Sequence, residues 1–409
     1  MTPASLASPR GVSMNFVLLT VFLDMLGVGL IVPVLPRLIA QFVPDPSQLS
    51  HWYGIMIATY SVAQFFAAPV LGALSDRYGR RPVLLLCVFG LGVDFLLVSL
   101  APNLWWMLAT RVLGGLTGGN LSVANAYVAD VSAPEDRSRA MGMIGAMFGL
   151  GFICGPVIGG LLGNHNPHWP FWLAAGVSFV NVAYGWFMLP ESLPVERRNS
   201  FSLRKANPFS GLLGLARLKS VGDLLGVIAL SLLAQFVMHT TWVISMEVRF
   251  GWSPLQNGLS LFLGGVSAAL VQGMLMKPLL ARLGERRLAL AGLASSTVAC
   301  LLYGVVQHSW IIYVLILCNM LGFAIAPALQ GTLSREVAPN QQGFAMGSLA
   351  SLGSVASILA PLLGTSLLGM VSHLPRGSLL LGAPFFLASG LQACALLLAW
   401  RHFRHHREA

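Results

Sequence analysis

The sequence predicts an all-α polytopic membrane protein in which twelve transmembrane helices form two pseudo-symmetric six-helix bundles. The first observation is composition: the 409-residue chain is 56% hydrophobic and 9% charged, whereas soluble proteins carry about 25% charged residues. The second is that apolar residues come in blocks long enough to cross a bilayer, which takes about 20 helical residues. The third is one long polar stretch, which separates two sets of six blocks.

Twelve apolar segments meet this length, with limits good to about 2–4 residues. The first six are 15–38, 52–73, 82–101, 104–129, 139–163 and 170–190, and the last six are 222–246, 255–276, 287–306, 309–333, 343–370 and 378–400. We therefore expect an N-terminal six-helix bundle (1–190), a polar linker (191–221) and a C-terminal six-helix bundle (222–409).

Basic residues are distributed unevenly between the two ends of the segments. If the N-terminus starts in the cytoplasm, 20 of the 24 lysines and arginines fall on the cytoplasmic side. Arg37, Arg249 and Arg376 fall outside, and Arg111 lies within a segment. This bias follows the positive-inside rule and predicts that both termini are cytoplasmic. It also accounts for the net charge of +10, so we expect no nucleic-acid partner.

The two halves are related by a shift of 205 residues. The pairs that coincide without gaps include Arg77/Arg282, Gly79/Gly284, Arg81/Arg286, Trp105/Trp310, Ala133/Ala338, Ala140/Ala345, Met141/Met346, Gly142/Gly347, Pro156/Pro361 and Gly159/Gly364. Both halves begin on the same side of the membrane, so the repeat is parallel. Transporters built from such repeats bind their substrate near the midplane, between the halves.

Larger polar residues concentrate in the first and fourth segments of each half. They are Asp24, Arg111, Asn120, Asn125, Gln235, His239, Asn319 and Gln330. Polar groups are costly in lipid, so the pattern predicts one water-filled substrate cavity lined by these four segments. For any single amide the alternative is a hydrogen bond between helices. For His239, substrate binding, proton transfer and a structural role all stay open.

Three charged residues lie near mid-membrane. At 1.5 Å per residue, Asp24 lies about 14 Å, Asp94 about 18 Å and Arg111 about 20 Å from the cytoplasmic side. Burial favours a neutral carboxylic acid, whereas a neighbouring arginine favours the carboxylate. This opposition predicts proton coupling, with Asp24 as the carrier and with Asp94 and Arg111 modulating it. The alternative is a fixed aspartate–arginine ion pair.

Two glycine-containing stretches predict close backbone packing. In the fifth segment, glycines at a spacing of four residues predict a flat helix face with a proline kink point, for packing alone or for gating. The residues of this helix 5 motif are Gly151, Gly155, Pro156, Gly159 and Gly160.

The stretch "GALSDRYGRRPVLLL" (72–86) is a polar turn between two apolar segments. Gly72 and Gly79 allow tight backbone, Asp76 can accept from N–H groups at a helix N-terminus, and Arg80 can pair with Asp130. We therefore predict a cytoplasmic latch, whose members are Gly72, Asp76, Arg77, Gly79, Arg80 and Asp130. An orientation signal alone would explain the arginines, but not Asp76 or the glycines.

The sequence lacks the motifs that are typical of disulfide-linked, metal-binding, enzymatic and ATP-driven proteins. The five cysteines all lie in apolar segments without a CxxC pair, so we expect core residues and neither disulfides nor metal ligands. There is no HExxH motif, serine–histidine pairing, cofactor loop or ATP-binding P-loop. We expect no enzyme, no metal and no cofactor, and an ion gradient as the energy source.

Several motifs carry a family resemblance. The 72–86 stretch resembles the loop between helices 2 and 3 of the major facilitator superfamily, and "VADVSAPEDRSRAMG" (128–142) is similar to its loop after helix 4. Motifs that resemble its twelve-helix drug:proton antiporter branch are "LDMLGVGLIVPVLP" (23–36), "RVLGGLTGGN" (111–120) and "GPVIGG" (155–160). Motifs that resemble bacterial tetracycline exporters are "RFGWSPLQNGLSL" (249–261) and "APALQGTLS" (326–334).

The resemblance implies alternating access by rocking of the two halves, coupling through Asp24 and Asp94, and a latch of Asp76, Arg80 and Asp130. In the tetracycline exporters a third membrane acid stands where this chain has Ser296, and a histidine where it has Ala268. The resemblance therefore supports the fold and proton antiport more strongly than a metal–tetracycline substrate.

The expected function is proton-coupled secondary active export of amphipathic drugs, tetracycline among them. The expected partners are a small amphipathic substrate, protons and the lipid bilayer, and we expect a monomer in the bacterial inner membrane. The alternatives are an exporter of an endogenous metabolite and a non-transporting membrane sensor.

Overall fold

The computed structural model describes residues 10–133, 136–198, 207–209, 221–338 and 341–405, and within these ranges the regular structure is helical, with no strand. Most of the predicted linker (191–221) lies outside the described residues, as does Arg407. The helices of the N-terminal half are α1 Arg10–Ile31, α2 Leu35–Ala40, α3 Pro46–Tyr78, α4 Arg80–Ser99, α5 Leu104–Thr117, α6 Asn120–Val131, α7 Arg137–His165 and α8 Trp169–Met188.

The C-terminal half repeats this pattern. Its helices are α9 Gly222–Phe250, α10 Pro254–Leu270, α11 Met276–Val305, α12 Ser309–Cys318, α13 Ile325–Glu336, α14 Gln342–Val371 and α15 Ala383–His405. A π-helical turn, Val271–Leu275, joins α10 to α11, and a 3-10 turn, Met320–Ala324, lies between α12 and α13.

The described chain has nine helices long and apolar enough to cross a membrane, or ten if the bent pair α12–α13 counts as one span. The difference from the predicted twelve has two structural causes. The stretch Pro254–Val305 is continuous but contains two predicted segments, separated at Gly284, where φ is +71°. The predicted segment 104–129 is broken at Gly118 and Gly119 into α5 and α6, both of which are short.

The first predicted segment, 15–38, also differs from the structure. Helix α1 ends at Ile31, a turn follows, and α2 starts at Leu35. Pro33 and Pro36 explain the break, because proline has no N–H to donate and its ring clashes with the preceding helical turn.

The bundle has two ends, which we name for their composition. The basic face is formed by the loops around residues 79, 132–133, 136, 189–198, 284, 337–338 and 341. The opposite face is formed by loops 41–45, 100–103, 166–168, 251–253, 306–308 and 372–378.

The two halves touch near the opposite face. An added Cβ at Gly54 of α3 would lie 3.0 Å from Cβ of Thr365 on α14. Arg37 of α2 approaches Glu247 of α9 with an N–O distance of 3.6 Å. Gly160 of α7 packs so closely on α10 that an added Cβ would lie 3.0 Å from Cα of Leu255. These contacts close the interface between the halves on this side.

Toward the basic face the same helices part. Added Cβ atoms at Gly142, Gly145 and Gly149 of α7 would meet no described atom within 4 Å, and the same holds at Gly347 and Gly353 of α14. The described structure is therefore open toward the basic face.

The predicted flat face of α7 packs on α1, as expected of small-residue helix contacts. An added Cβ at Gly155 would lie 2.7 Å from Cα of Gly29, and one at Gly151 would lie 2.8 Å from the backbone N of Leu26. Gly159 lies against Leu30 in the same way. The glycines thus let two helix backbones touch.

Gly155→Ala is expected to lower the free energy of unfolding by about 1–3 kcal/mol, because the added methyl group overlaps backbone atoms that cannot move aside. Gly149→Ala on the same helix is the matched control and should be neutral or stabilising by about 0.5–1 kcal/mol, because alanine favours helix and the space is open. Thermal unfolding in detergent, followed by tryptophan fluorescence, measures both. Equal shifts of the two variants would contradict the packing account.

Candidate functional site

A buried polar cluster forms where α1, α6 and α8 meet. Nδ2 of Asn120 donates to Oδ2 of Asp24 over 2.6 Å, and both residues are buried. One turn earlier on α1, Oγ1 of Thr20 donates to Oδ1 of Asn181 over 3.1 Å. Oδ1 of Asp24 is buried and has no hydrogen-bond partner among the described residues. Asp24 therefore has an oxygen free to hold a proton.

The break between α5 and α6 places Asn120 at Asp24. Nε2 of Gln64 on α3 donates to the carbonyl of Gly118 over 2.7 Å and so satisfies a carbonyl freed by the break. An added Cβ at Gly119 would lie 2.7 Å from Cδ1 of Leu71. Gln64 was not among the predicted site residues, although an amide within an apolar segment is a signal for it.

Asp94 and Arg111 form an ion pair in the structure, and whether it stays fixed during transport remains a prediction. Nη2 of Arg111 lies 2.5 Å from Oδ2 of Asp94, and the two residues are 5% and 0% exposed. The guanidinium also lies 5.9 Å from the ring centroid of Tyr60. Within the described ranges Asp24 makes no ion pair, so Arg111 engages Asp94 rather than the residue proposed as the proton carrier. The two acids thus have different environments.

A network of charges at the basic face joins α3, α4 and α6. Arg80 is 9% exposed, pairs with Asp76, and donates through Nε to Oδ2 of Asp130 over 3.0 Å. The Arg80–Asp130 pair predicted from the sequence is therefore present. Asp76 was expected at a helix N-terminus but contacts Arg80, one turn further along the chain.

Glu191, which the sequence analysis missed, takes the place expected of Asp76. Its Oε1 accepts from the backbone N of Arg80 over 2.8 Å, at the start of α4, and from Leu193 N over 3.0 Å. Gly79 has φ +106°, and an added Cβ would collide with Glu191. The available signal was an acidic residue directly after the sixth segment.

Two predicted latch residues have other surroundings. Gly72 lies inside α3, where an added Cβ would be 3.9 Å from Oγ of Ser122, so the tight backbone predicted there is wrong. Arg77 is exposed and lies 5.2 Å from the ring centroid of Tyr78.

The structure brings few of the predicted cavity residues together. Asn120 binds Asp24, and Oδ1 of Asn319 accepts from Oγ of Ser295 over 3.1 Å. The side chains of the other members make no hydrogen bond in the described part of the chain: Asn125, Gln235, His239 and Gln330. Of these, His239 and Gln330 are exposed. Their role in substrate binding stays a prediction.

A cavity of about 360 Å³ lies between the halves, near the break in the fourth segment. Its polar lining comes from α3, α6, a row of serines on α14 and one residue of the linker: Ser61, Gln64, Ser122, Ser351, Ser354, Ser357 and Asn207. The second and eleventh predicted segments, α3 and α14, therefore line this cavity, which opens where the two helices separate toward the basic face.

The sequence matches the Major Facilitator Superfamily over residues 17–278 and 250–408. The chain belongs to that superfamily. It is 41% identical over 348 residues to the tetracycline resistance protein, class C, of Escherichia coli, covering 85% of this chain and 87% of that protein. It is 28% identical to the multidrug resistance protein 2 of Bacillus subtilis, covering 95% of each chain.

Solved structures agree with this assignment. The human organic anion transporter MFSD10 (TETRAN) superposes with a TM-score of 0.69 at 28% identity and covers 96% of this chain and 100% of its own. A D-xylose–proton symporter superposes with a TM-score of 0.75 at 16% identity. The match covers 96% of this chain and 98% of the symporter and shows that the two share a fold. The protein is a multi-pass membrane transporter of small molecules, and its relatives are transporters rather than enzymes.

The C-terminal half of this superfamily member carries a charge-reversed copy of the Arg80–Asp130 pair. The 205-residue shift places Glu285 at the register of Arg80 and Arg335 at that of Asp130. Nη2 of Arg335 lies 2.9 Å from Oε1 of Glu285. Gly284, with φ +71°, stands at the register of Gly79. The repeat thus preserves the contact and inverts its polarity.

Proposed function

We propose that this transporter is a proton-coupled secondary active exporter of amphipathic drugs, with tetracycline as the first candidate substrate. The observation that carries the proposal is Asp24, a buried acid with one bound and one unpartnered oxygen beside the break in the fourth segment. The similarity to the tetracycline resistance protein, class C, over most of both chains supports the substrate class.

In this mechanism the basic face lies in the cytoplasm of a bacterium, and the termini lie on the same side. A monomer open toward this face takes up drug from the cytoplasm or the inner leaflet. Asp24 releases its proton inward as drug binds, and after the halves rock it takes up a proton from outside as the drug leaves. Only a group that is free to change protonation can do this, and Asp24 fits better than Asp94, whose Oδ2 is already paired with Arg111.

Transport into everted membrane vesicles tests the proposal. We expect respiring vesicles that contain the protein to accumulate tetracycline or another amphipathic drug, and a protonophore to abolish the accumulation. Accumulation that survives the protonophore would contradict proton coupling. A lack of accumulation across a broad drug panel would favour an endogenous metabolite or a sensor.

We also propose that Arg80, Asp76, Asp130 and Glu191 form a latch that must open and close in each transport cycle. Arg80→Ala is expected to reduce the maximal transport rate about tenfold, because it leaves the carboxylates of Asp76 and Asp130 without their cation. Drug affinity, measured by equilibrium binding, should change less than twofold, because the network lies at the loop end of α3. Arg139→Ala, at an exposed arginine of α7, is the control and should transport normally. Loss of binding together with transport would argue against a latch.

A further inference from the structure

A second and larger cavity, of about 750 Å³, lies at the basic face of the C-terminal half. It is formed by the part of α11 around and just after its kink at Gly284, by the end of α13 and by the end of α15. The side chains of interest in its lining are Arg286, Arg287, Arg335, Arg404, Trp400 and Phe403. It is remote from Asp24 along the chain and in the fold, since it belongs to the other bundle.

The charge in this cavity is unbalanced. Its two carboxylates are already engaged: Glu285 pairs with Arg335 at 2.9 Å, and Glu336 lies 3.1 Å from Nε2 of His402. Arg286, Arg287 and Arg404 also lie there. Within the described residues these three arginines make no ion pair or hydrogen bond. The cavity thus presents a positive surplus that an anion would neutralise.

The cavity has two aromatic residues of α15 in its lining, Trp400 and Phe403. Trp400 is 52% exposed, and Leu397, outside the lining and nearly one turn earlier on α15, is 62% exposed. The guanidinium of Arg404 lies 5.4 Å from the Trp400 ring centroid, and that of Arg286 lies 5.8 Å from the Phe403 ring centroid. Aromatic side chains of this kind sit at the headgroup level of a bilayer. A basic pocket between helix ends at that level suits an anionic headgroup.

We propose that this cavity is a binding site for an anionic phospholipid. Its phosphate would lie among Arg286, Arg287 and Arg404, and its acyl chains would run along the exposed face of α15 past Trp400 and Leu397. The lipid phosphate would neutralise the positive surplus that these three arginines leave in the cavity.

Native mass spectrometry of delipidated protein tests this directly. The probes are dioleoylphosphatidylglycerol, phosphatidylcholine with the same chains, and inorganic phosphate. The variants are Arg286→Gln/Arg287→Gln/Arg404→Gln and, as a control with the same loss of charge, Arg139→Gln/Arg282→Gln/Arg401→Gln. The control arginines are exposed and lie outside the cavity lining.

We expect the cavity variant to bind phosphatidylglycerol at least tenfold more weakly than the wild type, and the control variant to stay within about twofold. Arg404→Gln alone should weaken binding about threefold. Phosphatidylcholine should bind weakly to all, and phosphatidylglycerol should raise the melting temperature of the wild type and the control. Equal weakening of the two triple variants would overturn the proposal, and so would binding of inorganic phosphate as tight as that of the lipid.

Discussion

Asp24→Asn is expected to reduce uphill drug accumulation in everted vesicles to the level of vesicles without the transporter. Asparagine has the shape of aspartate and can still accept the hydrogen bond from Asn120, but it cannot take up or release a proton. Equilibration of drug down its own gradient should persist in the variant, because the path between the halves is unchanged. Radiolabelled drug uptake with and without a proton gradient measures both quantities.

The matched control is Asp223→Asn, the same chemical change at an exposed acid in the first turn of α9. It should accumulate drug as the wild type does. Uphill accumulation by Asp24→Asn at the wild-type level would remove Asp24 from the mechanism. Loss of downhill exchange as well would point to a structural role, which thermal unfolding of the purified variant would reveal.

Arg111→Met is expected to destabilise the protein by about 3–5 kcal/mol, since it leaves the Asp94 carboxylate buried without its cation. Adding Asp94→Asn should recover most of this loss, because the double variant buries no net charge. The expected order of melting temperatures is wild type, then the double variant, then Arg111→Met. Differential scanning fluorimetry in detergent gives this order.

Arg139→Met is the control, because it removes an exposed arginine that makes no ion pair in the described structure. Its melting temperature should match that of the wild type. A double variant as unstable as Arg111→Met would show that the arginine stabilises the protein through contacts other than Asp94, such as the Tyr60 ring.

Much of the fold is readable from the sequence, because apolar length is a direct requirement of the bilayer. The repeat shift also predicts the equivalence of Gly79 and Gly284, which both adopt positive φ. The breaks were not predicted: the fourth segment looks continuous in hydropathy, and only the close approach of Gln64 and Leu71 shows why Gly118 and Gly119 interrupt it.

The charged contacts were predicted only in part, because pairing depends on tertiary geometry that spacing does not contain. Depth along a helix predicted that Asp24, Asp94 and Arg111 lie at about one level of the membrane. It did not predict which acid pairs with Arg111. Glu191 was missed because it lies 111 residues from the backbone N that it binds. Only the folded structure places the chain after α8 beside the start of α4.

Drug-triggered proton movement in proteoliposomes tests the central claim most directly. The purified protein is reconstituted with a pH-sensitive dye inside the liposomes, and tetracycline is added first, followed by other amphipathic drugs. The account predicts a substrate-dependent change of internal pH with the wild type and none with Asp24→Asn. Drug movement without any pH change, or an equal pH change with Asp24→Asn, would contradict it.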